Sequence, residues 1–452
     1  VKIQYIYPTQ LDEYKQPLKY KKALLPPLAL AILDSLTPPQ HQVKIVNDVV
    51  EKVDFSPSYD LVALTGLTSQ IERVYQIADH FRELGVKVVI GGFHATALPH
   101  EAKKHADAVF IGEMGRLWEH ILVDAENNRL KEFYQEESLP KLKDFKLPRW
   151  DRMNLKIYFK ALGEKLPPIT MFTTRGCQYN CKFCSISKFF HRTYRTRPIS
   201  KVLQEIDSVN AKNFVFVDDN TTADANYSRE LFKALIPKKI RFYTQISTTV
   251  LKNPELIDLA AKAGCLILTV GIESFNKDSL QSLNKGFNNP EAYAELFDRM
   301  RRVGIIPIPT IMMGIDGDSL EQFQYAIDFL MKHKVGGAWF GIMTPLPGTE
   351  LYREMEDAGR IITRDWTKYD LGHLVFQPRG YSVDEFHRLF WKYYRSYFTF
   401  GKIAKKISYI VSKSPRPFTS LIESIYYSLY CRKQVYNYNV PISGGLFQVR
   451  KH

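Results

Sequence analysis

Thr174-Arg175-Gly176-Cys177-Gln178-Tyr179-Asn180-Cys181-Lys182-Phe183-Cys184 holds three of the chain's five cysteines, spaced C-x3-C-x2-C. Three thiolates this close are soft ligands that suit zinc or an iron–sulfur cluster. A structural zinc site ordinarily takes four protein ligands in paired knuckles. No second cysteine pair exists, although His191, seven residues on, could complete a Cys3His set. A [4Fe–4S] cluster on three cysteines leaves one iron open, and an open iron is a chemical site. Cys265 and Cys431 stand alone and read as small buried apolar residues.

The stretch follows the first of six short apolar runs: Ile169–Thr173, Phe214–Val217, Arg241–Ile246, Leu266–Gly271, Ile305–Ile311 and Ala338–Ile342. These suit buried parallel strands. Between them lie helical patterns such as Pro254–Ala263 and Pro290–Val303, the latter stopped by Gly304. Six strand–helix units are too few for a closed eight-stranded barrel but suit a partial one, with function at the carboxyl ends of its strands.

Upstream, Val1–Ile6, Val43–Val46, Leu61–Leu64, Val86–Ile90 and Ala108–Ile111 read as strands, with Ile71-Val74-Ala78-Phe81-Leu84 marking an intervening helix. That order predicts a doubly wound sheet with its ligand at the strand carboxyl ends. Those ends carry Thr65-Gly66-Leu67-Thr68-Ser69, Gly91-Gly92-Phe93-His94 and Gly112-Glu113. Glycine lets a backbone approach a large ligand, and hydroxyls or helix N-termini bind phosphate and amide groups, although ordinary turns use the same residues.

A polar connector runs from Gln135 to Arg152. From Asp365 two helical stripes appear, Phe386-Leu389-Phe390-Tyr393-Tyr397 and Leu421-Ile422-Ile425-Tyr426-Leu429, separated by Lys402, Lys405, Lys406, Lys413 and Arg416. The plain expectation is a helical cap packed on the barrel; the sharper one is a basic, aromatic face for a membrane surface or lipid-like substrate. The expected divisions are 1–135 for the sheet domain, 136–165 for a linker, 166–364 for the barrel and 365–452 for the helical region.

The 452 residues carry a formal charge of +14, with 45% hydrophobic and 24% charged residues, the balance of a globular protein of several domains. A basic excess favours acidic partners, or is simply a solvated surface. No nucleic-acid module is recognisable. No apolar run approaches the ~18 residues that would span a bilayer. The N-terminus reads as a strand rather than a signal peptide. Clustered cysteines without a disulfide framework point to a reducing, cytoplasmic setting, with peripheral contact to the inner membrane face through the tail.

Cys177-x3-Cys181-x2-Cys184, with Phe183 before the last cysteine, resembles the signature of the radical S-adenosylmethionine (SAM) enzymes. The later strand ends resemble that superfamily in order: Asp218-Asp219-Asn220, Gln245 with Ser247 and Thr248, Gly271-Ile272-Glu273-Ser274, and Pro309–Gly317. The resemblance implies that Cys177, Cys181 and Cys184 hold the cluster. It implies SAM contacts from Phe183, Asp218, Asp219, Asn220, Gln245, Ser247, Glu273 and Gly314. Plainer roles stand beside these: Asp218 and Asp219 could cap the next helix, and Glu273 could pair with a lysine. Family members often end the fifth-strand motif Gly-Pro-Gly-Glu, where this chain has Gly314-Ile315-Asp316-Gly317-Asp318.

The N-terminal half is similar to the Rossmann-like cobalamin domain of the B12-dependent branch. The match lies in Pro26-Pro27-Leu28, Leu64–Thr68, Gly91–His94, Ala106–Val109 and Ile111–Glu113. The resemblance implies cobalamin contacts from Thr65, Gly66, Leu67, Thr68, Ser69, Gly91, Gly92, His94, Gly112 and Glu113. The Asp-x-His-x-x-Gly loop of other cobalamin proteins is absent. The implied fold is α/β, a doubly wound sheet, then a (β/α)6 TIM-like partial barrel, then helices. The implied reaction is reductive SAM cleavage to a 5′-deoxyadenosyl radical and, with cobalamin, methylation of an unactivated carbon of a small-molecule or lipid-like substrate. A flavodoxin or ferredoxin would serve as electron donor. Ring closure, rearrangement or oxidation by the same radical is the alternative within the superfamily; a zinc-stabilised binding protein is the alternative outside it.

Overall fold

The computed structural model describes residues 1–412, 414, 417–440 and 445–448, so Lys413 and Arg416 lie outside the described residues. Its strands are β1 (Lys2–Tyr7), β2 (Tyr20–Ala23), β3 (Gln42–Asn47), β4 (Leu61–Thr65), β5 (Lys87–Gly91), β6 (Ala108–Ile111) and β7 (Phe133–Gln135) in the N-terminal part. Then come β8 (Ile169–Met171), β9 (Thr174–Gly176), β10 (Tyr194–Thr196), β11 (Asn213–Phe216), β12 (Arg241–Ile246), β13 (Cys265–Glu273), β14 (Ile306–Met313), β15 (Trp339–Ile342) and β16 (Gly445–Gln448).

The N-terminal sheet is parallel throughout in the order β3-β1-β4-β5-β6-β7. The chain leaves β1 in one direction for β3 and in the other for β4, so the topological switch point lies between β1 and β4. A ligand crevice belongs beyond the carboxyl ends of those two strands. Ile3, Tyr5, Leu61, Val62, Val88 and Ile90 are buried, as near-continuous apolar runs in a sheet covered on both faces must be. β7 is a sixth strand, beyond the five expected, and it ends where the polar connector begins. It pairs only with β6, and only Tyr134 of its three residues is buried.

The second sheet, β15-β14-β13-β12-β11-β8, is also parallel and curls into a half-barrel left open between β8 and β15. Its pattern departs from that of the first sheet. Along β12 and β14 every second residue is buried beneath helices, and those between, including Tyr243, Gln245, Ile308, Thr310 and Met312, stay open to solvent. The alternation marks a hollow on the inner face. Val217 and Trp339, both partly exposed, extend the same lining.

Helices Val383–Tyr397 and Phe400–Val411 pack on the barrel, and Phe386, Phe390, Trp391, Tyr394 and Tyr397 are buried, as the first stripe predicts. The second stripe behaves differently. Helix Pro417–Tyr436 turns Cys431 and Val435 inward and leaves Leu421, Ile422, Ile425 and Leu429 exposed. Its Tyr427 is 46% exposed, yet burial drives the phenol well above its ordinary pKa and its hydroxyl bonds Trp339. That hydrogen bond sets Tyr427 beside Trp339 at the edge of the same lining. β16 pairs antiparallel with β2, joining two segments far apart in sequence. Among the described residues no helix is long and apolar enough to cross a membrane.

Candidate active site

The cysteine stretch leaves the half-barrel directly after β8. It is pinched at its base by the antiparallel ribbon of β9 and β10, where Arg195 faces Arg175 and Tyr194 faces Gly176. Gly176 sits at φ +85° with the Thr193 carbonyl where a Cβ would stand, so only glycine closes the ribbon. Beyond it, the Lys182 amide donates to Leu283 O at 3.0 Å and the Leu351 amide donates to Lys182 O at 3.0 Å, holding the loop from both sides.

Cys181 is buried; Cys177 and Cys184 are partly open. Burial raises the Cys181 thiol to about 11 and the Cys184 thiol to about 12, and the neighbouring thiols push in the same direction. Burial also raises Cys177. Three soft donors that repel as thiolates are stable in that form only beside metal. Among the described residues no three His, Cys, Asp or Glu side chains surround a point for one ion, and His191 is exposed. The donor set fits a cluster in which each thiolate takes its own iron and lacks the fourth ligand of a structural zinc site.

The strand ends around the loop form a tied constellation. Asp218 is fully spent: Oδ1 accepts from the Thr173 amide at 2.7 Å and the Thr174 amide at 3.0 Å, and Oδ2 accepts from the Thr173 and Thr221 hydroxyls. Asp218 thus pins the root of the cysteine loop. The helix cap expected of Asp218 or Asp219 falls instead to Asp224, which accepts from the Asn226 and Tyr227 amides. Asp219 accepts from the Gly176 amide at 2.7 Å, and burial lifts its carboxyl to about 6. Gln245 donates to Asp219 O at 3.0 Å and is exposed to the hollow. Asn220 accepts from the Ser247 amide at 3.1 Å and donates to its hydroxyl at 3.2 Å, fixing two expected contacts against each other.

Glu273 sits at φ +62° on a register shift of β13, an uncommon conformation for a residue with a Cβ. Asn288 donates to Gly271 O and Ile272 O at 3.0 Å, and Tyr293 donates to Ile272 O at 3.1 Å, securing the bend. The Glu273 carboxylate meets Lys285 Nζ at 2.5 Å, both side chains almost wholly buried, and Thr310 donates to its other oxygen at 3.2 Å. Burial pulls the Lys285 ammonium down, but Glu273 and Cys181 more than reverse this, so its pKa is raised. The ammonium also stands 5.5 Å over the Phe183 ring. A Cβ on Gly271 would strike both Lys285 Nζ and Glu273 Oε1, so the glycine makes room for the pair. The lysine partner weighed for Glu273 is therefore real, and it brings a buried cation to the cysteines. Gly314, at φ +91°, lies against the Phe386 ring, 3.0 Å from where a Cβ would stand.

The N-terminal sheet turns its carboxyl ends to the same gap. Phe93 packs on Phe189 with ring centroids 4.3 Å apart. Glu113 takes Arg195 at 2.6 Å and Arg175 at 3.6 Å, both from the ribbon that closes the cysteine loop. Glu113 thus ties the N-terminal sheet to the ribbon. His94 is held by its own neighbours. It is buried, its Nε2 meets Glu101 at 3.1 Å and its ring packs edge-on to Trp366. The remaining tips fit a large ligand better. Leu67 at the switch point is 50% exposed, and Gly112 faces open space. Thr68 and Ser69 are buried in the turn, where Ser69 accepts from Gln10 at 3.0 Å. Gly92, at φ +103°, leans on Thr65 and Gly66. Gly91 ends β5 beside Thr65 of β4.

The radical SAM superfamily pattern matches residues 171–330. Over 422 residues, 90% of this chain and 92% of the relative, the sequence is 31% identical to the bacteriochlorophyllide d C-8(2)-methyltransferase of Chlorobaculum tepidum. The chain belongs to the radical SAM superfamily. Enzymes of this superfamily use a [4Fe–4S] cluster and SAM, and the three cysteines stand where its pattern begins. Among solved structures, the radical SAM methyltransferase TsrM from Kitasatospora setae, with cobalamin and [4Fe–4S] cluster bound, aligns at TM-score 0.61. It covers 86% of this chain and 85% of its own at 15% identity. OxsB, a cobalamin-dependent radical SAM enzyme, aligns at TM-score 0.67 over 98% of this chain and 78% of its own at 13% identity. At these identities the likeness concerns the fold: a Rossmann-like sheet, a half-barrel and helices in that order.

Proposed function

We propose that this radical SAM enzyme is a cobalamin-dependent C-methyltransferase acting on a large, flat, mostly apolar substrate of the tetrapyrrole class. The observation that carries the reading is the shared gap: the switch-point end of the N-terminal sheet and the cysteine end of the half-barrel face each other across Phe93–Phe189 and Glu113–Arg195. When bound, the cluster supplies the electron that splits SAM, and cobalamin supplies a methyl carrier. Cys177, Cys181 and Cys184 would hold the cluster. Asp219 and Gln245 would meet the SAM amine side, Lys285 its carboxylate, Glu273 the ribose and Gly314 the adenine, with Asn220 and Ser247 fixing the floor beneath. Leu67 would lie under the corrin, and the backbone at Gly91, Gly92 and Gly112 would border it.

The substrate class rests on the relative's name and on the hollow. Val217, Tyr243, Ile308, Met312, Trp339 and Tyr427 give it an apolar, aromatic lining. Such pockets bury flat ligands and leave orientation to a few polar groups. The test is anaerobic reconstitution with iron, sulfide and cobalamin, then turnover of a chlorin substrate with methyl-deuterated SAM and a one-electron reductant. The expected product is heavier by one labelled methyl group. SAM cleavage with cobalamin excluded from the protein would overturn methyl transfer in favour of another radical reaction; zinc without iron would overturn both.

A further inference from the structure

The helix Pro417–Tyr436 has two unlike sides. Cys431 and Val435 are buried, and Glu423 accepts from the Leu162 amide at 2.8 Å, so that side faces the body of the protein. Phe418, Ile422, Ile425 and Leu429 follow one another at intervals of four, three and four, which places them along a single helical stripe. They are 72%, 42%, 41% and 46% exposed. Phe400 joins them from the neighbouring helix, since the Arg432 guanidinium lies 4.4 Å over its ring. A contiguous exposed patch of five large apolar side chains on a soluble fold marks a contact surface.

Charge decides what that surface contacts. Residues 398–452 contain nine lysines and arginines and one acidic residue, Glu423, which is turned away from the stripe. Lys406 is buried and adds nothing outside, but Lys405 and Lys433 are exposed and Arg432 borders the patch. Apolar side chains bordered by basic ones, with the one acidic residue of the segment turned away, match the boundary between acyl chains and anionic headgroups. A second copy of the chain would bring the same basic surround against itself. We propose that this face docks on an anionic lipid bilayer, the helix lying in the plane of the interface and the barrel mouth held beside the membrane.

Co-sedimentation of the full chain with vesicles of phosphatidylcholine, with and without phosphatidylglycerol, tests the proposal. Strong binding only to anionic vesicles is expected, falling about tenfold from low to high salt. Phe418→Ser with Ile425→Ser should lower binding by about tenfold or more with melting temperature and iron loading unchanged, because both side chains stand in solvent. Lys433→Gln should cost about fivefold, on anionic vesicles alone. No binding to anionic vesicles, or binding indifferent to the double substitution, overturns the proposal. So does a dimer seen by light scattering that the double substitution dissolves, which would give the face to a second copy. SAM cleavage measured without lipid is independent of all these outcomes.

Discussion

The carboxyl ends of the two parallel sheets meet the same gap with different materials. At the half-barrel the strand tips carry polar and charged side chains that are tied in place: Asp219 to Gly176, Asn220 to Ser247, Glu273 to Lys285. At the N-terminal sheet the charged tips have been drawn aside. Glu113 goes to the arginines of the facing ribbon and His94 to Glu101. What remains toward the gap is backbone, glycine and Leu67. On the proposed function, the first arrangement suits a small ligand with opposite charges at fixed points and the second a broad one held by shape. Pre-tied side chains lose little freedom when a ligand arrives, and a backbone border offers no side chain to obstruct a ring system.

Substitutions at the two ends should therefore fail differently. Cys181→Ala removes a ligand that no neighbour can replace, so SAM cleavage should fall to background and iron content should drop. Cobalamin retention should persist, measured by the visible spectrum after desalting. Loss of both cofactors together would break the comparison. Lys285→Met leaves the Glu273 carboxylate buried without its partner, a loss of about 3–5 kcal/mol. Denaturant unfolding should show it, with SAM cleavage weakened more than cobalamin retention. Gly92→Ala forces a side chain onto Thr65 and Gly66 at a left-handed backbone position, a strain of about 1–3 kcal/mol. It should weaken cobalamin retention and leave SAM cleavage in place.

The smallest effect lies away from both ends and sets the scale for an exposed pair. Asp370 accepts from His373 at 3.0 Å and raises the imidazole pKa against the opposing effect of burial. A raised histidine stabilises the fold fully below its unfolded pKa and loses that contribution as pH rises through its folded value. His373→Gln should lower the melting midpoint at pH near 6 and leave it unchanged at pH near 9. At 47% side-chain exposure the effect should stay below about 1 kcal/mol.

The cysteine spacing and the order of strand tips were legible in the sequence because both are periodic and local. What was hidden is what depends on a distant partner. Lys285 follows a short helix in an unremarkable polar turn, and only folding brings it to Glu273 and the cysteines. Asp218 shares its motif with Asp219, but its neighbours' amides claim it first. His94 and Glu113 sit at tips that read as cofactor contacts, and the Trp366 ring and ribbon arginines that hold them come from distant segments. β7 was missed because an edge strand with one buried residue looks like a connector. The stripe on the last helix has the spacing of a packed face, and spacing alone does not say whether a neighbour stands opposite it.

The pairing of β2 with β16 has a consequence for how the molecule comes into being. Tyr20–Ala23 is synthesised long before its strand partner, Gly445–Gln448. The N-terminal sheet can form during synthesis, since its strands are near neighbours in sequence, while β2 waits with one edge unpaired. That pairing is among the most non-local contacts in the chain, and such closures are slow. The N-terminal sheet can thus be complete well before β2 is paired, and the β2–β16 ribbon is added to a fold already formed.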